Sequence, residues 1–409
     1  MKKEVFVMIH PPDLPMDIVR DFQIFLDYID QENVTVTKRN KHLQRKHCWE
    51  LNQRFEIQTE EVTEKSDQIY YPRVHLFYNL AIQGKLMTIN GNRAVLQERV
   101  ADYQDFTDLE KYMYLLETLW VDTDWVVFTD DERHVYTSVI RACGKVISEP
   151  PEQKITTSGE FADFGHMVMI LSYFGIWEYT IRKEMKAYKQ MIPVESIQTT
   201  FSGWKLLRTL MLERPISVWS IPGRKRYGEW VVNPGQFPNR ETSLMQTEGF
   251  VELLHGLNFC QGDDGEWFID VFKELFLGDE LNKSFTRACN EIFEGTYTLR
   301  LKAGDRTEII ECSSEHTMEG VHEAILEVYE LVDDHLYSFF LSGEAWKGHS
   351  ISSPGEWMSG SPADEITIAE TGVKEGDTIL YIHDFGEEFR VKIEVMERIA
   401  EKMREDSTT

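Results

Sequence analysis

Apolar residues recur at spacings of three and four through much of the first 295 positions and alternate with polar ones through the last hundred. That change of period predicts a mainly helical region followed by a sheet-rich one. Ile18, Phe22, Phe25, Leu26 and Ile29 fall on one face of a helix predicted over residues 17–29. Pro72 opens "PRVHLFYNLAIQGKLMTINGNRAVL", which reads as a helix, a break at Gly84, a short strand and a turn at Asn90-Gly91. Thr107, with Glu110 three positions on, forms a capping box before Tyr112, Leu115, Leu116 and Leu119.

The stretch 147–160 holds proline, serine, threonine and glycine with little apolar content, and is expected to be a domain boundary or a long loop. Beyond it, "HMVMILSYFG", "IWEYTIR", "VESIQTT" and "FSGWKLLRTLML" read as helix, strand, strand, helix. This order is that of a winged-helix domain, and equally that of an incidental helical core. Residues 220–239, with Arg224, Lys225 and Arg226, read as an irregular surface loop. Phe268, Val271, Phe272, Leu275 and Phe276 predict a further helix across 266–293, ended by Gly295.

From residue 296 the period becomes two. "YTLRLKA" and "RTEIIEC" are strands joined at Gly304-Asp305. Thr317 caps a helix with Met318, Val321, Ile325 and Val328 on its buried face. "HLYSFF" is a strand, residues 347–362 a glycine- and serine-rich loop, and "DTILYIH" and "FRVKIEV" two more strands. The fold class expected is α+β: a mainly helical N-terminal region, then a small C-terminal domain with one helix packed on a mostly antiparallel sheet. The domains expected are 1–150, 151–295 and 296–399, with a disordered tail over 400–409.

Charge sharpens this division. The 409 residues carry a net charge of −27, and residues 296–399 hold 22 acidic against 8 basic residues. Such a segment repels phosphate. The exception to the acidity is a basic island, Lys38, Arg39, Lys41, Arg45 and Lys46, with no acid among them. Five cysteines at irregular spacing, with no C-x-x-C pair, argue for thiols in a reducing compartment. The N-terminus lacks a secretory apolar run and no segment approaches a membrane span, so the expected location is the cytoplasm, away from membrane.

Asp384-Phe385-Gly386 spells the magnesium-binding tripeptide of protein kinases, but no H-R-D-x-x-x-x-N or glycine-rich loop accompanies it. Asp384 and Gly386 are expected to shape a hairpin turn, with Phe385 beneath it. Val321-His322, His335-Leu336 with Phe339, and Asp384-Phe385-Gly386 together resemble the plasmid pRiA4b ORF-3-like family, which includes passenger proteins of mobile elements. The resemblance covers residues 296–397. It departs at His383, Glu387, Phe389 and Val391, where the family has Tyr, Asp, Trp and His. It implies no activity.

Three readings of function follow. Trp346 and Trp357, beside the glycine-rich loop, offer aromatic contacts through which an acidic module engages a protein partner. The basic island suits a DNA-associated accessory factor of a mobile element. His335, His383 and Asp384, with His322, are the candidate ligands of a divalent metal in a divergent enzyme. No catalytic residue is assigned and no cofactor expected: P-loop, zincin, nucleophile-elbow and dinucleotide signatures are missing. The preferred reading is the non-enzymatic interaction protein.

Overall fold

The computed structural model describes residues 9, 13–129, 133–157, 165–182, 192–255, 267–276, 281–355 and 360–400. The chain divides into two compact units, Met1–Gly223 with Pro234–Arg287, and Arg224–Asn233 with Ala288–Thr409.

Helix α1 (Asp17–Gln31) opens the first unit and buries Ile18, Phe22, Phe25, Leu26 and Ile29, as its spacing predicts. α2 (Arg45–Arg54) and α3 (Pro72–Gln83) follow, and Phe22 and Phe25 meet Phe77 of α3 edge-on at 5.4 and 6.2 Å. Strands β1 (Met87–Asn90) and β2 (Arg93–Leu96) form an antiparallel hairpin. Gly91 turns it with φ +63°, a conformation glycine adopts without cost. After α4 (Arg99–Gln104), α5 (Asp108–Glu117) begins at the predicted capping box: Thr107 Oγ1 accepts from Glu110 N, and Glu110 Oε2 accepts from Thr107 N.

α6 (Val135–Ser148) is followed by β3 (Lys154–Thr156), α7 (Met167–Tyr173), β4 (Trp177–Ile181), β5 (Val194–Thr199) and α8 (Phe201–Glu213). The predicted helix, strand, strand, helix order is present, in a sheet ordered β3-β5-β4. No unit boundary falls near residue 150. β3 pairs with β5, Ile155 opposite Ile197, and Trp204 Nε1 donates to the Glu149 carbonyl, so both sides of that stretch share one fold.

α9 (Ile216–Trp219), α10 (Ile221–Arg226) and α11 (Ser243–His255) come next. Residues 220–239 are therefore not simply a surface loop: Arg224 is buried, its Nε 2.6 Å from Glu229 Oε2 and its Nη1 donating to the Asn233 carbonyl. The helix expected over 266–293 is also absent from its described residues, which hold a 3₁₀ turn, Asp270–Leu275, and irregular chain from 281 to 294. Phe268, Phe272 and Phe276 are still buried. The amides of Asn282 and Lys283 are taken by Glu110 Oε1, at 3.0 and 2.8 Å, and Arg287 pairs with Glu117 and Asp122. Carboxylates of α5 and the turn after it thus strap the segment down in place of helical hydrogen bonds.

The second unit is built on seven strands: β6 (Gly295–Ala303), β7 (Arg306–Ser313), β8 (Tyr337–Phe340), β9 (Ser350–Ser352), β10 (Gly360–Pro362), β11 (Thr378–His383) and β12 (Phe389–Ala400). Their order is β10-β9-β8-β11-β12-β6-β7, antiparallel except for β9 with β10. α12 (Met318–Tyr329) covers one face. Met318, Val321 and Ile325 pack with Leu299, Leu301, Phe339, Tyr381, Ile393 and Val395 into a single core. Each such side chain contributes roughly 1.5–3 kcal/mol by leaving water.

The glycine- and serine-rich stretch is not a single loop. Residues 347–362 contain β9 and β10. Polar side chains bond along them, Ser338 of β8 with Ser352 of β9 at 2.7 Å and His349, just before β9, with Ser361 of β10 at 3.0 Å, so no apolar alternation announces them. In the β11–β12 turn the left-handed residues are Asp384 (φ +56°) and Glu388 (φ +52°), and Gly386 is not one of them. Asp384 holds that conformation because its own Oδ1 accepts from Gly386 N at 2.9 Å.

Candidate functional site

One end of the helix-covered face of the second unit gathers His322, His383, Tyr337 and Tyr381, all buried. Thr317 Oγ1 accepts from Gly320 N and starts α12, which aims His322 at the sheet. The His322 ring lies flat on Tyr337 of β8, centroids 3.6 Å apart and planes within 10°. Tyr381 of β11 is 2.7 Å from His322 Nδ1, and Asp333 Oδ1 lies 3.3 Å from Nε2. An ionised carboxylate only accepts, so Nε2 carries the proton and Nδ1 accepts from the tyrosine hydroxyl. The result is a directed chain from Tyr381 through His322 to Asp333.

Burial pushes the His322 imidazole below its ordinary range, against the opposing pull of Asp333. His383, opposite Tyr337 in the β11–β8 register, is likewise depressed, first by burial and then by His335. Its Nε2 is buried without a hydrogen-bond partner, and so is the Tyr337 hydroxyl. The Tyr337 phenol is pushed up by burial and then by Glu319, Asp333, Asp364 and Glu323. His335 is half-exposed, its Nε2 3.2 Å from Asp334 Oδ1 and 3.7 Å from Asp384 Oδ2.

The predicted metal residues are thus brought together: His335 meets His383 edge-on at 5.7 Å, and His383 lies 6.0 Å from His322. They do not form a ligand shell. Both nitrogens of His322 are engaged, and among the described residues no group of three or more His, Cys, Asp or Glu is arranged to hold a metal ion. The carboxyl of Asp384 is held below the usual range chiefly by the Gly386 amide, a turn-forming role.

Phe340 alternates with Phe339, which joins the α12-covered core, so it projects from the opposite face. Against it stands Trp346, 49% exposed and in the left-handed region at φ +62°. Its ring meets Phe340 at 5.3 Å and Phe385 at 5.1 Å, both nearly edge-on, and its Nε1 donates to Glu388 Oε1 at 3.3 Å. Phe385 therefore flanks the tryptophan. Trp357 lies outside the described residues, as does the tail 401–409.

Lys38, Arg39, Lys41, Arg45 and Lys46 are all exposed. A bridge between Val36 and Leu43, a Thr37 N to His42 O bond of 2.7 Å, and a bond from the Tyr78 hydroxyl to the Lys41 carbonyl fix their loop.

Strand alternation carried a signal for Tyr337 and Tyr381, which share the inward parity of Phe339 and His383. Asp333 sits in an acidic loop and nothing in the spacing distinguishes it from Asp334. Among the described residues, no helix is long and apolar enough to cross a membrane. No curated protein matches the chain. A solved structure, that of MM3350 from Methanosarcina mazei Go1, a protein of unknown function, is 21% identical over 27% of this chain with a TM-score of 0.23. The match spans 65% of that protein's chain, just under two thirds. Residues 307–408, the C-terminal quarter beginning in β7, match the family described as plasmid pRiA4b ORF-3-like protein.

Proposed function

We propose that the second unit is a non-enzymatic docking module that holds a basic segment of a protein partner in the cytoplasm. The observation that carries this reading is the Trp346 platform: an exposed indole, braced by Phe340 and Phe385, with Glu388 at its Nε1. An exposed indole face attracts guanidinium and ammonium groups. The 22 acidic residues of 296–399 supply the long-range attraction.

The test is anisotropy of a labelled Lys/Arg-rich peptide titrated with the full chain. Binding is expected to weaken with salt, and to weaken at least about tenfold in Trp346→Ala, as a central aromatic anchor would. Glu388→Gln should give a smaller loss. Equal affinity for Trp346→Ala with an unchanged melting curve, or no binding by the intact protein, defeats the reading.

A further inference from the structure

The first unit carries the basic island on an ordered loop. Arg45 pairs with Asp67 at 2.7 Å and Lys46 weakly with Glu50 at 3.6 Å. Lys38, Arg39 and Lys41 have no carboxylate partner among the described residues, although acidic residues outnumber basic ones 70 to 43. Uncompensated positive charge has therefore been concentrated on a loop whose backbone is fixed. Lys41 sits at φ +57°, held there by the Tyr78 bond to its carbonyl.

Arg39, Arg45 and Lys46 border a cavity. A cleft of about 570 Å³ is lined by Arg39 and Lys46, by the Arg45–Asp67 pair, whose charges offset each other, by Asn40 and Gln44, and by Ile69. The volume falls within the range of small-ligand sites, roughly 300–1,000 Å³. Gln44 is also the N-cap of α2 and makes no side-chain cap bond, so the first amides of that helix are not closed off by it.

We propose that this cleft binds a small phosphate ester of nucleotide size, with Arg39 and Lys46 on the phosphate and the neutral body against Ile69, Asn40 and Gln44. Charge balance favours a small ligand over a polynucleotide. One phosphate is screened from the rest of the molecule within about 10 Å. A duplex would extend past the loop and meet a chain of net charge −27. This inference is independent of the docking role of the second unit.

Calorimetry with the intact chain at about 50 mM salt, where electrostatic binding is strong, tests it. The probes are adenosine, guanosine, cytidine and uridine 5′-monophosphate, unphosphorylated adenosine, and a DNA duplex of about 20 base pairs. At least one monophosphate is expected to bind with one-to-one stoichiometry, and adenosine not to bind. The double variant Arg39→Ala/Lys46→Ala should weaken binding at least about tenfold with an unchanged melting temperature. Lys38→Ala/Lys41→Ala, whose residues do not line the cleft, should weaken it less. Silence from every monophosphate, binding of adenosine equal to that of its monophosphate, or undiminished affinity in the first double variant overturns the proposal. Tighter binding of the duplex than of any monophosphate also overturns it and points to nucleic acid.

Discussion

Arg73 of the first unit and His322 of the second are both polar side chains on the buried face of a helix, and the two units treat them differently. Arg73, 2% exposed, keeps its charge. Its Nε lies 2.9 Å from Asp21, another of its nitrogens bonds Asp17, and Asp21 in turn accepts from the Glu56 amide. His322 gives up its charge and is held by a phenol and one carboxylate, while neighbouring His383 and Tyr337 each keep a buried atom unpaired. The first arrangement answers a buried charge with two carboxylates, although Arg73 Nε makes only an ion-pair contact and no aligned hydrogen bond. The second spends its polarity incompletely, which is the condition in which a buried site can still accept a guest or a water.

The largest effect that would sharpen this contrast is in the first unit. Arg73→Met should cost about 3–5 kcal/mol, because it leaves Asp21 buried with its partner gone. Urea denaturation measures it, and a cost under about 1 kcal/mol would mean that the network is wetter than its burial implies. Next comes the neutral site. Tyr381→Phe removes the donor to His322 Nδ1 and should cost about 1–3 kcal/mol. The histidines also set a pH dependence. The folded-state values of His322 and His383 lie below the ordinary 6.5, so the folded form binds fewer protons than the unfolded one. Their contribution is complete above about pH 6.5 and is lost as pH falls toward and through the depressed folded values. Melting between about pH 7 and pH 5 should therefore show a falling stability that His322→Gln flattens. The smallest effect is at the turn. Gly386→Ala should change stability by no more than about 1 kcal/mol: Gly386 has no left-handed backbone to protect, and an added Cβ crowds only Asp384 Oδ1, at 3.2 Å.

That last prediction also shows what a sequence conveys. Period-two spacing located β6, β7, β11 and β12, and the three–four spacing located α1 and α12, because burial on one face repeats with the geometry of the element. The same spacing misled at 266–293, where Phe268 and Phe272 are buried but carboxylates from residues 110 and 117 claim the backbone and side chains downstream. Such long-range hydrogen bonding leaves no local trace. β9 and β10 carry no period-two signal because they are three residues each and mostly serine, glycine and proline. At the site, the clustering of His322, His335 and His383 was legible from their strand and helix placement. Their failure to converge on one point was not, since it depends on rotamers and on Tyr381 and Asp333 engaging His322 first.

The position of β12 carries a consequence for how the protein is made. It lies between β11 and β6, so the last of the described strands is the one that joins the two halves of the sheet. Until it arrives, the β6–β7 hairpin has no other partner in the sheet and β8 with β11 forms a separate piece. Gly295, at the start of β6, pairs with Ala400 at the end of β12, a contact separated by the whole unit in sequence. Pairings of such separation form slowly. During translation the unit stays in two unsealed parts, each with bare strand edges, until residue 400 clears the ribosome, and that interval is when it most needs protection from its neighbours.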